Sequence, residues 1–78
     1  MKEVTLDNRP HIEFEDVTCL KQTNAAILCR ILDEDDDIDE DVWIPLSQVH
    51  DNSEVYEEGT EGKLIITRWI AEQKELVG

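Results

Sequence analysis

Apolar and polar positions alternate with a period of two through most of this chain, and a helical period appears only from residue 69 onward. Ile12 and Phe14 alternate with Glu13 and Glu15, Asp16 breaks the rhythm, and Val17-Thr18-Cys19-Leu20 resumes it. This pattern predicts a strand with a bulge near Asp16. Lys21 to Asn24 is polar and turn-like, with Asn24 suited to a positive φ. Residues 25–32 (AAILCRIL) are apolar on both faces apart from Arg30, which predicts a central strand covered on both sides. In residues 42–46 (VWIPL), Val42, Ile44 and Leu46 share one side, and Trp43 and Pro45 share the other. Pro45 cannot donate to a ladder, so this strand lies at an edge or is bulged there.

Residues 47–50 read as a tight or 3₁₀ turn. Residues 51–62 form a polar connection whose glycines, Gly59 and Gly62, suit a tight turn, and Lys63 to Thr67 is the last strand. Trp69, Ile70, Gln73, Leu76 and Val77 then share one helical face, with Thr67 placed to cap it. Ahead of His11 the pattern is weak. Val4 and Leu6 suggest a short strand, Pro10 ends it, and residues 1–10 are expected to fray. Short strands joined by tight turns predict a mainly β fold, a small SH3-like or OB-like (partly open) β-barrel of about five short strands with one C-terminal helix. Residues 1–78 make one domain. Few aromatics are present, and Trp43 and Trp69 are expected to fill the core or a barrel end.

Charge changes this picture most. Twenty acids against seven bases give a net charge of −13. Residues 33–61 hold thirteen of those acids and no Lys or Arg. Eight of them fall in nine consecutive positions: Asp33, Glu34, Asp35, Asp36, Asp37, Asp39, Glu40 and Asp41, interrupted only by Ile38. Such a surface repels phosphate backbones and anionic lipid and attracts basic proteins. Direct nucleic-acid binding and membrane binding are therefore not expected.

Extended, nine residues span at most about 30 Å, so neighbouring carboxylates lie roughly 4 Å apart. Phosphates on one DNA strand recur every ~3.4 Å. The acidic run can thus imitate a phosphate backbone, with Asp51, Glu54, Glu57, Glu58 and Glu61 extending the track and Ile38 as an apolar anchor. A plainer reading stands beside it, in which the run is a solvated guard on a hairpin edge. An EF-hand is excluded in every register, because positions six and twelve fall on Ile38 and Ile44, Glu40 and Leu46, or Val42 and Gln48.

The remaining chemistry is sparse. Cys19 and Cys29 are expected to be reduced core residues. The spacing H-x7-C-x9-C-x20-H matches no zinc pattern. His50 beside Asp51 has the form of an acid–base pair, but no nucleophile lies near it, and a surface histidine is expected. With no G-x-S-x-G, phosphate loop or paired metal motif, neither an enzyme nor a cofactor is indicated. No apolar run approaches a membrane span or a leader h-region, so a cytoplasmic location is expected.

Trp43-Ile44-Pro45 with Ser47-Gln48, the strand from Ala26 to Ile31, Glu58-Gly59 with Glu61-Gly62, Leu64 to Ile66, and Trp69-Ile70-Ala71-Glu72-Gln73-Lys74-Glu75-Leu76 together resemble a group of small phage and prophage proteins of largely unassigned function. The resemblance covers residues 25–77 and carries no catalytic residue over. It implies a phage-associated protein acting in the host cell cytoplasm. Members of the group have a short glycine-containing turn before the tryptophan strand, where this chain has its acidic run. Charge and resemblance together lead to an expected inhibitor that blocks a basic, nucleic-acid-binding effector of the host, of the anti-CRISPR or anti-restriction type. The second expectation is an accessory interaction module of phage DNA metabolism. The oligomeric state stays open.

Overall fold

The computed structural model describes residues 2–33 and 38–77. Among these residues, five antiparallel strands, β1 (Lys2–Leu6), β2 (Arg9–Gln22), β3 (Ala26–Asp33), β4 (Ile38–Pro45) and β5 (Glu61–Thr67), are followed by one α-helix, α1 (Arg68–Gln73). The fold is mainly β, and its sheet is open and barrel-like, as the alternation predicts.

The fourteen-residue β2 carries the others. Its first half lies between β1 and β5, since Glu13 faces Lys2 on one edge and Ile65 on the other. Its second half lies between β3 and β5, since Thr18 faces both Arg30 and Glu61. The change of partner follows the predicted bulge. Asp16 has φ 57°, and the β2–β5 register slips between Phe14 and Val17. Aspartate is among the few residues that accept this left-handed conformation, and the extra residue bends the strand so that one sheet can wrap a core.

Residues 2–6, expected to fray, form a strand instead. Asp7 and Asn8 have φ 52° and 61° and join Leu6 to Arg9 in a two-residue hairpin turn whose twist matches the strands it links. Pro10 does not end a strand; it sits inside β2 opposite Thr5. In such a hairpin the pair beside the turn exchanges the main-chain bonds and the next pair does not, so proline's missing N–H breaks no bond to β1. Asn24 is not in the left-handed region. Thr23 makes that turn, its hydroxyl accepting from the N–H groups of Ala25 (3.3 Å) and Ala26 (3.0 Å).

The core joins Ile12, Phe14, Val17 and Cys19 of β2 to Ile27, Cys29 and Ile31 of β3 and Ile44 of β4. Val55, Leu64, Ile66, Ile70, Ala71 and Leu76 complete it, with Val42 and Leu46 packed at its margin. Val55 was hidden in a stretch that reads as polar, yet it is fully buried and pins the connection down. That connection covers the outer edge of β5, where the N–H of His50 donates to the Ile65 carbonyl (2.8 Å) and that of Glu54 to the Lys63 carbonyl (2.7 Å). The predicted 3₁₀ turn is Leu46–Gln48.

The helix begins as predicted, with the Thr67 hydroxyl accepting from the Ile70 N–H at 3.3 Å. It ends in a turn in which the N–H of Leu76 donates to the Ala71 carbonyl (2.8 Å) and that of Glu75 to the Glu72 carbonyl (3.1 Å). That ending requires φ 59° at Glu75, a position that favours glycine, and it places a negative charge at the helix C-terminus. Glu75→Gly is therefore expected to stabilise the fold by about 1 kcal/mol. A urea midpoint equal to or below that of the parent would contradict it.

Candidate functional site

The acidic run joins β3 to β4, and the two strands pair from Ala26↔Pro45 to Asp33↔Ile38. Glu34, Asp35, Asp36 and Asp37 lie outside the described residues; Asp33, Ile38 and Asp39 are described only as backbone at the strand ends. Glu40 and Asp41 are exposed on β4. Asp41 is tied to its cross-strand neighbour, Arg30, whose Nε donates to Oδ1 at 3.1 Å. Both side chains are about half exposed, which limits this pair to ~0–1 kcal/mol.

The hydrogen bond from the Leu46 N–H to the Ala25 carbonyl (2.8 Å) fixes the parity of this ladder. Glu40, Val42 and Ile44 exchange main-chain bonds with β3, while the N–H groups of Asp41 and Trp43 point away from it. Pro45 shares the second parity, so its missing N–H breaks no bond to β3, and β4 is the edge strand that proline predicts. Among the described residues β4 pairs with β3 alone.

Two expectations about this hairpin are corrected. β3 is not covered on both sides: Ile27, Cys29 and Ile31 are buried, but Leu32 is 48% exposed and Arg30 is exposed. Trp43 is not a core or barrel-end residue; it is 41% exposed on the outer face, directly opposite Leu28. The reason is a shortage of covering structure. The only α-helix among the described residues is six residues long, and it packs on β2 and β5. Trp69, expected on the buried side of that helix, is 58% exposed, and Ile70, Ala71 and Leu76 fill the barrel end instead. Trp43→Ala is accordingly expected to cost about 1 kcal/mol, the scale of a lost cross-strand contact. A loss of 3 kcal/mol or more by thermal denaturation would place the ring in the core.

The other candidate acids leave β4 from its Pro45 end, opposite the end that joins the acidic run. Asp51, Glu57, Glu58 and Glu61 are exposed. Glu54 is structurally engaged, its Oε1 accepting from the Lys63 N–H at 2.9 Å. Glu57 and Glu58 sit on a turn docked against β2, where the Gly59 N–H donates to the Cys19 carbonyl (3.1 Å) and Gln22 Oε1 accepts from the Glu58 N–H (3.4 Å).

A second polar cluster was not legible as a unit. His50 pairs with Asp7, forty-three positions away, rather than with Asp51: its Nε2 donates to Asp7 Oδ2 at 2.8 Å. Its Nδ1 accepts from the Asn52 N–H at 3.0 Å, so both ring nitrogens are engaged. The His50 side chain is only 14% exposed and meets buried His11 edge to face, with ring centroids 5.1 Å apart. His11 Nδ1 donates to the Arg9 carbonyl at 3.0 Å. A cleft of about 320 Å³ opens here, lined also by Ser47, Gln48 and Asp51. The arrangement locks the β1–β2 turn to the segment after β4. It leaves no ring nitrogen of His50 free to act as a base.

The two thiols are free and buried opposite one another on β2 and β3. Burial pushes the Cys29 thiol up to about 12 and raises that of Cys19 as well, and the Cys19 Sγ donates to the Lys21 carbonyl at 3.3 Å. Both stay neutral thiols at ordinary pH, which makes them poor nucleophiles and poor ligands. Among the described residues no three His, Cys, Asp or Glu side chains come together as a metal site, and no helix is long and apolar enough to cross a membrane. Comparison with protein-family models, curated proteins and solved structures finds no match.

Proposed function

We propose that this chain is a small, phage-associated acidic protein that binds and blocks a basic, nucleic-acid-binding surface of a host protein, as anti-CRISPR and anti-restriction proteins do. The observation that carries this reading is segregation of charge: thirteen acids and no Lys or Arg between residues 33 and 61. Solubility is served equally well by mixed charges, so it does not require this arrangement. A basic groove built for phosphates is the complementary surface. The protein acts without a cofactor and without catalysis, in the host cytoplasm, and does not itself bind nucleic acid.

The exposure of Trp43, Trp69 and Tyr56 favours a second reading, an accessory module of phage DNA metabolism that docks through aromatic contacts. Capture of the tagged protein's partners from a bacterial lysate, with parallel elution by salt and by duplex DNA, separates the two. An inhibitor retains nucleic-acid-binding proteins that both eluents release. Partners that resist duplex DNA, or that belong to phage replication or packaging, contradict it and favour the module.

A further inference from the structure

We propose that the free edge of β4 is a docking site for an extended segment of a partner protein, with basic residues against Glu40 and Asp41 and apolar residues against Val42 and Trp43. This rests on the reading of the chain as a binder of basic proteins, and adds how the contact is made.

Three observations converge on this edge. Among the described residues its main-chain donors have no acceptor, because the ladder parity turns the N–H groups of Asp41 and Trp43 away from β3. An unpaired row of this kind is a template for another strand. Apolar surface lies along it: Trp43 is 41% exposed beside Leu28, Leu32 is 48% exposed on the same face, and Val42 is only partly buried on the inner face. An added strand would cover the flanks of both Trp43 and Val42, whose side chains leave the strand on opposite sides. The third observation is charge. Glu40 and Asp41 are exposed beside these groups, and the chain as a whole carries −13.

Charge also decides the occupant. Two copies of this chain repel one another, whereas a basic strand is attracted, so the acids that prevent self-pairing select the partner. The outer edge of β5 offers no equivalent site, since residues 49–54 already bond to it. Among the described residues β1 also has an open outer edge, but it carries no large exposed apolar side chain.

Two capped peptides of equal positive charge test this on ¹⁵N-labelled protein at low salt. In one, a Lys-Lys pair precedes Val and Ile residues; in the other, glycine and proline replace the Val and Ile. The first peptide is expected to slow hydrogen exchange at the Asp41 and Trp43 amides by about tenfold or more and to bind about tenfold tighter than the second. The amides of Val42 and Ile44, already bonded to β3, should not change. Asp41→Pro removes an outward N–H that the β3 ladder does not use, and should abolish the difference between the peptides. If that variant fails to fold, the exchange measurement on the parent still decides. Equal affinities with no protection overturn edge pairing and leave the electrostatic reading intact. Failure of both peptides to bind overturns both. Protection in the free protein that rises with its own concentration overturns the proposal in favour of self-pairing.

Discussion

Phe14→Ala is expected to cost about 3–5 kcal/mol, because the ring is 1% exposed at the centre of the cluster joining β2, β3, β5 and α1. At roughly 0.05–0.15 kcal/mol per residue, a chain of 78 residues has only about 4–12 kcal/mol to lose. Leu64, the cross-strand partner of Phe14, and Val17 and Ile31 of the same cluster belong to bonded strands and cannot collapse freely into the space. The melting temperature should fall by at least ~12 °C, and much of the population should unfold at 37 °C. A phenylalanine variant that melts within a few degrees of the parent would show that the core lies elsewhere.

Gly62→Ala is expected to be the next most damaging substitution described here, at about 2–4 kcal/mol. Gly62 has φ 132°, outside the range a side chain tolerates, at the point where β5 meets the bulge in β2. An added Cβ would stand 2.8 Å from Glu54 Oε1 and 3.2 Å from Glu54 Cβ. Relief means moving the carboxylate that accepts from the Lys63 N–H, and with it the clasp that covers the edge of β5. Glu54→Gln is the companion measurement. It keeps an acceptor and removes the charge, so its urea midpoint should stay close to the parent. If Gly62→Ala leaves the midpoint unchanged, the clasp contributes nothing, and Glu54 belongs with the freely exposed acids.

These substitutions trace what the sequence makes visible. The bulge at Asp16 was legible because one polar residue shifts the phase of an otherwise regular alternation. The Thr67 cap and the edge position of β4 were legible because a hydroxyl ahead of a helical stretch and a proline within a strand each have few places to go. The same alternation correctly put Trp43 opposite Ile44. It could not say that the outer face lacks a cover, since that depends on where α1 packs. AAILCRIL read as doubly buried for the same reason: its second apolar set meets Trp43 and solvent, not another layer. Val55 was lost because one apolar residue in a polar stretch has no period. The Asp7-Asn8 turn was a missed signal, as both residues accept a left-handed backbone. The Asp7–His50 pair had none, being made by long-range packing.

The acidic candidates on β4 and on the connection after it divide by role. Glu54 is bonded into the fold, Asp41 is shared with Arg30, and Glu40, Asp51, Glu57 and Glu58 remain exposed. The proposed inhibition depends on exposed carboxylates acting as binding groups rather than as a guard on the hairpin edge.

The salt dependence of binding to a captured nucleic-acid-binding partner tests that claim most directly, with the parent compared against a variant carrying Asp35→Asn, Asp36→Asn, Asp37→Asn and Asp39→Asn. Two like charges ~4 Å apart repel by about 1 kcal/mol in water, and less at physiological salt, so removing four of eight nearly consecutive charges should leave the variant at least as stable as the parent. Its affinity should fall by about tenfold or more, and its plot of log Kd against log salt should flatten. Unchanged affinity and an unchanged slope would mean that the acids only keep the hairpin soluble, and would contradict the proposed mimicry.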